Sequence, residues 1–132
     1  MANQWDKIAI RNINRMTATA QKSFVAASQS VVLKSPVDKG TFKNNWFTEI
    51  NTITTKTTTD TDKSGGARLK EAKDKSLKIK IGDSLSFANN LPYAVPLEYG
   101  HSLQAPAGMV RITAANWGGI VSQVVKSVKA SK

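Results

Sequence analysis

Trp5, Ala9, Ile13, Met16, Ala20, Phe24, Ala27 and Val31 recur at gaps of three or four residues without a break. That spacing lays all eight side chains along one face of an α-helix. The opposite face carries Lys7, Arg11, Asn14 and Lys22. Ser35-Pro36 ends the run, because proline biases the preceding residue away from helical geometry and lacks the next backbone donor. A helix of about 30 residues within 1–35 is roughly 45 Å long, more than the ~30 Å width of a small domain. With 132 residues in the chain, this helix must bend or lay part of its stripe on another molecule.

Residues 36–99 read as a sheet region. Pro36, Asp38 and Gly40 make a turn, and Trp46, Phe47, Ile50 and Ile53, mixed with threonines, suit a strand with one buried face. Residues 54–75 are almost free of apolar side chains and contain Gly65-Gly66. They predict a long flexible hairpin loop that orders on contact with a partner. Leu77, Ile79 and Ile81 alternate with Lys78 and Lys80, the period-two pattern of a strand. From Phe87 to Tyr99 an extended segment is interrupted by Pro92 and Pro96, which places it at a sheet edge, a short helical turn or a corner. Val110, Ala114, Trp117, Val121, Val124 and Val128 predict a last helix over 107–129 with Trp117 in the core. Gly118-Gly119 weakens it by about 1 kcal/mol each unless something packs closely there. The sum is one α+β domain over 1–132: a long N-terminal helix, a small antiparallel sheet with a long hairpin, and a C-terminal helix packed on the sheet.

Charge and composition narrow the function. Nineteen Lys and Arg stand against nine Asp and Glu, a net +10, which favours polyanions and acidic surfaces. Lys56, Lys63, Arg68, Lys70, Lys73 and Lys75 concentrate part of it in the hairpin loop. They lack the interleaved aromatics that stack on bases, so DNA and an acidic protein surface both stay open as what they face. Apolar content of 40% is low for a self-sufficient core, so neighbours are expected to complete it. With no cysteine, disulfides and thiolate metal sites are excluded, which fits a reducing compartment. No signal-peptide layout and no apolar run near 20 residues point to a soluble protein with no membrane partner.

The segment from Ser86 to Gly108 gathers both tyrosines, three of the four prolines and the only histidine. Glu98 and His101 stand three apart with Asp83 upstream, the raw material of a hydrolase or metal site. One histidine, no cysteine and no acidic cluster do not make such a site, and the nucleophile-elbow and phosphate-loop motifs are absent. No catalysis, metal or cofactor is expected. Glu98 reads instead as either a solvated charge or one half of an intersubunit ion pair, with Arg111 a candidate partner.

Three blocks of residues carry a resemblance. They are Pro36-Val37-Asp38-Lys39-Gly40 with Phe42 and Asn45-Trp46; Asn90-Leu91-Pro92-Tyr93-Ala94 with Leu97-Glu98-Tyr99-Gly100; and Ala105-Pro106 with Met109 and Ala114. In order and spacing, over roughly residues 30–118, they resemble the small neck or tail-completion proteins of tailed bacteriophages of the lambdoid siphophage type. Lys39, Phe42 and Asn45 stand where that pattern has Thr, Leu and Ser. The resemblance implies a non-enzymatic virion protein, assembled in the bacterial cytoplasm. It would form a ring, hexameric rather than dodecameric, at the head–tail junction. Its implied partners are further copies of itself, head-connector and tail-tube proteins, and the DNA passing through the lumen. Pro36, Asp38, Gly40, Trp46, Tyr93, Glu98, Tyr99 and Arg111 become its expected contact residues. A basic nucleic-acid-binding accessory protein is the alternative.

Overall fold

The structure, a computed structural model, describes residues 3–100, 104–105 and 108–130. Helix α1 spans Gln4–Lys34 and starts with a reciprocal cap: Asn3 Oδ1 accepts from the Asp6 amide at 2.9 Å while Asp6 Oδ2 accepts from the Asn3 amide at 3.3 Å. It ends at Ser35, in extended geometry before Pro36, as the proline demands. The Ser35 hydroxyl donates to the Val31 carbonyl and accepts from Trp46 Nε1 at 2.9 Å, tying the end of the helix to the sheet.

Strand β1 (Trp46–Ile50) follows a 3₁₀ turn at Lys43–Asn45 and pairs antiparallel with β2 (Leu85–Asn89), Thr48 opposite Phe87. The core gathers Val31, Val32, Phe42, Trp46, Ala105 and Met109. Trp46 stacks on Phe87 at 5.2 Å, and Phe42 meets the Trp46 ring edge-on at 5.8 Å. Trp46, Phe47 and Thr48 are all buried, so β1 is covered on both faces rather than one.

The region between the strands departs from the sequence expectation. Helix α2 (Gly66–Ser76) fills the second half of the predicted loop 54–75. Its side chains do the work of a third strand on the free edge of β1. Arg68 Nε donates to the Asn44 carbonyl at 2.8 Å, Glu71 Oε1 accepts from the Thr48 amide at 3.0 Å, and Lys75 Nζ donates to the Thr48 carbonyl at 2.8 Å. Buried edge groups of this kind are costly when left unpaired. Gly65, just before α2, has φ +74°, and a β-carbon there would come within 2.2 Å of Val32 Cγ1. Only glycine lets the chain turn this close to α1.

Leu77–Ile81 is not a strand. The amides of Leu77, Lys78 and Ile79 bond back to Lys73, Lys75 and Ser76, closing the end of α2. Ile79 is buried while Leu77 and Ile81 are exposed. The threonine-rich stretch is held within the chain: Asn45 bonds Thr58 through both amide atoms, Asn44 donates to the Asp60 carbonyl, and Asn90 donates to the Thr54 and Lys56 carbonyls.

Past β2, α3 (Ala94–Glu98) is the short helical turn that the prolines allowed. The C-terminal helix is two helices, α4 (Val110–Ala115) and α5 (Trp117–Ala130), divided at Asn116. Its predicted start at Ala107 lies outside the described residues. The segment touches the sheet region where Val110, Thr113 and Trp117 come beside Phe87, while α5 lies mainly along α1. Nothing lies within 4 Å of where side chains would stand at Gly118 and Gly119, so no close packing offsets their cost to α5.

Candidate assembly surface

The first and second motif blocks meet in space. Pro36, Val37, Asp38 and Gly40 face Tyr93 and Leu97 across a cleft of about 450 Å³. The Gln104 side chain fixes one wall: it accepts from the Val37 amide at 2.9 Å and donates to the Val37 carbonyl at 3.0 Å, as a neighbouring strand would. Gly40 fixes the other, its carbonyl accepting from the Asn44 and Asp62 amides. Phe42 packs beneath Tyr93 with ring centroids 5.9 Å apart, and Asp38 stands exposed on the rim. The cleft thus has an apolar floor and a carboxylate at its edge. Trp46 is not part of it. That side chain is 5% exposed in the core and is no contact residue.

Glu98 organises the second group. Oε1 accepts from the Met109 and Val110 amides at 2.9 and 2.7 Å, and Oε2 from the Arg111 amide and Nε at 3.0 Å each. Arg111 Nη2 returns to the Glu98 carbonyl at 2.6 Å, and the guanidinium lies over the Tyr99 ring at 4.6 Å. The carboxylate satisfies the open amides at the start of α4, where negative charge is favoured. Burial pushes the Glu98 carboxyl up, but the Arg111, Met109 and Val110 amides and the Arg111 side chain together hold it below its ordinary value. Gly108 makes this possible: at φ +85°, a β-carbon would come within 2.4 Å of the Glu98 carbonyl oxygen. The expected Glu98–Arg111 pair therefore exists, but it forms inside one chain. What it presents outward is Tyr99 and the Arg111 edge, both exposed.

Of the hydrolase candidates, Glu98 caps α4 and Asp83 is held in a turn. Asp83 accepts from the Asn51 side chain at 2.9 Å and from the Lys80 amide at 2.8 Å, and these bonds hold its carboxyl below the ordinary value. It closes the turn that leads into β2. His101 lies outside the described residues. Among the described residues no cluster of three His, Asp or Glu is placed to hold a metal, and no helix is long and apolar enough to cross a membrane.

The basic loop divides by role. Arg68 pairs with Glu71 at 2.8 Å and covers the Phe47 ring at 4.2 Å; Lys75 pairs with Glu49 at 3.2 Å. Both serve the sheet edge instead of a DNA- or ring-facing surface. Lys70 pairs with Asp74 in solvent, and Lys56 approaches the outer face of Phe47. Lys63 and Lys73 are exposed. The positive charge available to a partner is smaller here than the sequence implied.

The largest unpartnered surface lies elsewhere. Every residue from Asn3 to Met16 is exposed, including Trp5 at 76%, Ile10 at 53%, Ile13 at 49% and Met16 at 61%. Ile8 and Ile10, which widen the apolar face, lie off the periodic stripe and were not singled out from the sequence. A length comparison finds them: α5, at about 21 Å, cannot cover an α1 of about 46 Å. Trp117, expected in the core, is 46% exposed. No family model, curated protein or solved structure matches this chain.

Proposed function

We propose that this chain is a ring-forming structural protein of a bacteriophage neck, completing the tail and joining it to the head connector around the DNA channel, without catalysis. The reading rests on the three-block resemblance, and one structural observation carries its assembly part. The accessible surface is 8387 Å², whereas a compact monomer of 14.3 kDa exposes about 6,800 Å². Such an excess, with the apolar residues of the first four turns of α1 exposed, fits a protomer more readily than a finished monomer.

In a head-to-tail ring, the exposed first turns of α1, with Trp5 and Ile13, are offered to the next copy's cleft. Its apolar floor (Phe42, Tyr93, Leu97) suits their apolar side chains, and its rim carries both Asp38 and Lys39. Six copies is the preferred count and twelve the second. The assembled ring would sit in the virion between connector and tail tube, with DNA passing through its lumen.

Native mass spectrometry and negative-stain imaging of the purified chain test this directly, and rings of defined symmetry are expected. A Trp5→Asp/Ile13→Asp double variant is expected to stay monomeric and to leave heads and tails unjoined, each otherwise normal. A wild-type chain that is monomeric at high concentration, missing from virions and bound to DNA with a steep salt dependence would overturn the reading in favour of a nucleic-acid-binding protein.

A further inference from the structure

A second apolar surface adjoins the exposed first turns of α1, sharing Met16 with them, and is separate from the cleft. Between α1 and α5 runs an open groove of about 770 Å³, its walls formed by Met16, Ala20, Trp117, Val121, Val125 and Val128. On α1 it extends from Asn12 to Ser23, about 16 Å or three helical turns. We infer that this groove receives an amphipathic helix of a different protein, apolar on the face it buries and acidic on its flanks.

Two observations converge on that occupant. The first is shape. Two contacting helices with an open, valine-rich groove between them offer ridges and grooves to a third helix of three turns or more. A flat bilayer surface does not reach the floor of such a groove, where Val128 is 6% exposed.

The second is charge. Arg15 and Lys129 stand on the rim. Lys7 and Arg11 continue the Arg15 row at four-residue spacing around the adjoining hollow beside Val128. Among the described residues none of these four cations has a carboxylate within ion-pair distance; the pairs that form involve Arg68, Lys70, Lys75 and Arg111. The same charge argues against a second copy. α1 carries five basic residues against Asp6, α2 four against two acidic, and α5 Lys126 and Lys129 against none. Each long helix of a second copy would bring like charge to the rim.

The test uses the full chain and two labelled helical peptides of about fifteen residues. They share a leucine seam and differ only in glutamate or lysine flanks. Fluorescence anisotropy is expected to show saturable one-to-one binding of the glutamate peptide, at least about tenfold tighter than the lysine peptide. Chemical-shift changes should centre on the Trp117 indole and the Val121 and Val125 methyls. The Arg15→Glu/Lys129→Glu variant, altered only at exposed positions, is expected to reverse the preference. Ala20→Trp, which fills the trough, is expected to weaken both peptides about tenfold with the far-UV spectrum unchanged. The inference is overturned by equal binding of both peptides that ignores the charge reversal. It is equally overturned if the Trp117 and valine signals respond to protein concentration alone, the mark of a self-interface. Uptake onto phosphatidylglycerol vesicles through those same valines, with no response to the glutamate peptide, also overturns it. Ring imaging is a separate readout, so failure here leaves the neck reading standing, and the reverse.

Discussion

The two halves of α1 obey one pattern and meet opposite fates. Ser23, Ser28, Val31 and Val32 in the second half are buried, with α1 packing on α5, α2 and α4, while every residue from Asn3 to Met16 in the first half is exposed. Apolar periodicity reports a face that wants covering; it does not say what covers it. The second half finds its cover within the chain. The first half is flanked only by the end of α5, because the sheet has two short strands and α5 is under half the length of α1.

The largest break in that comparison comes from matched substitutions. Val32→Asp, at a fully buried position, is expected to cost about 4 kcal/mol or more by burying an unpaired charge. Ile13→Asp is expected to stay within about 0.5 kcal/mol in urea unfolding of the monomer. Similar costs at both sites would mean that the first half is covered after all. Next is Gly65→Ala, expected to cost about 1–3 kcal/mol because the new methyl meets Val32 and the backbone keeps its positive φ. Substitution of Gly118 by Ala, where space is open, is expected to stabilise by up to about 1 kcal/mol.

A smaller effect separates α2 from the strand it replaces. Arg68→Met leaves the Asn44 carbonyl and the Glu71 carboxylate without their partner and is expected to cost about 1–2 kcal/mol. Amide exchange should accelerate first at Thr48, the edge amide that Glu71 covers. Glu98 gives a pH-dependent test of the α4 cap. Its carboxyl lies below its ordinary value in the folded chain, so its contribution is fully present above the unfolded value and is lost as pH falls through the folded one. Glu98→Gln is expected to remove that part of the acid slope, measured as thermal midpoint from pH 7 down to pH 3. The smallest expected effect on stability is that of Trp5→Ala, near zero for the monomer. If that variant still builds rings, the first turns of α1 are not the ring contact.

Where sequence reading succeeded and failed follows from range of interaction. The end of α1 was legible because proline acts locally at Ser35-Pro36, whereas its start was set by the Asn3–Asp6 cap, which the apolar stripe did not reveal. Helix α2 was hidden because its apolar content is little more than Leu69 and Ala72, and most of its support comes from Arg68, Glu71 and Lys75 reaching a strand more than twenty residues away. Leu77, Ile79 and Ile81 alternate convincingly, yet the amides of Leu77, Lys78 and Ile79 are consumed by carbonyls at the end of α2, leaving a turn. At the candidate surface, the sequence brought Pro36, Asp38, Gly40 and Tyr93 forward, and the structure joins them in one cleft. It also brought forward Trp46, which the core claims, and Glu98, whose hydrogen bonds are spent on α4.

By itself the sequence determined the α+β class, a first helix too long for its domain, and the excess of positive charge, since these depend on local spacing and on counting. The tertiary structure alone decided which cations are already paired, that the Glu98–Arg111 pair closes within one chain, and which half of the first helix is left bare. Each of those depends on distances between residues far apart in the chain, fixed only when the sheet, α2 and α5 come to rest against α1.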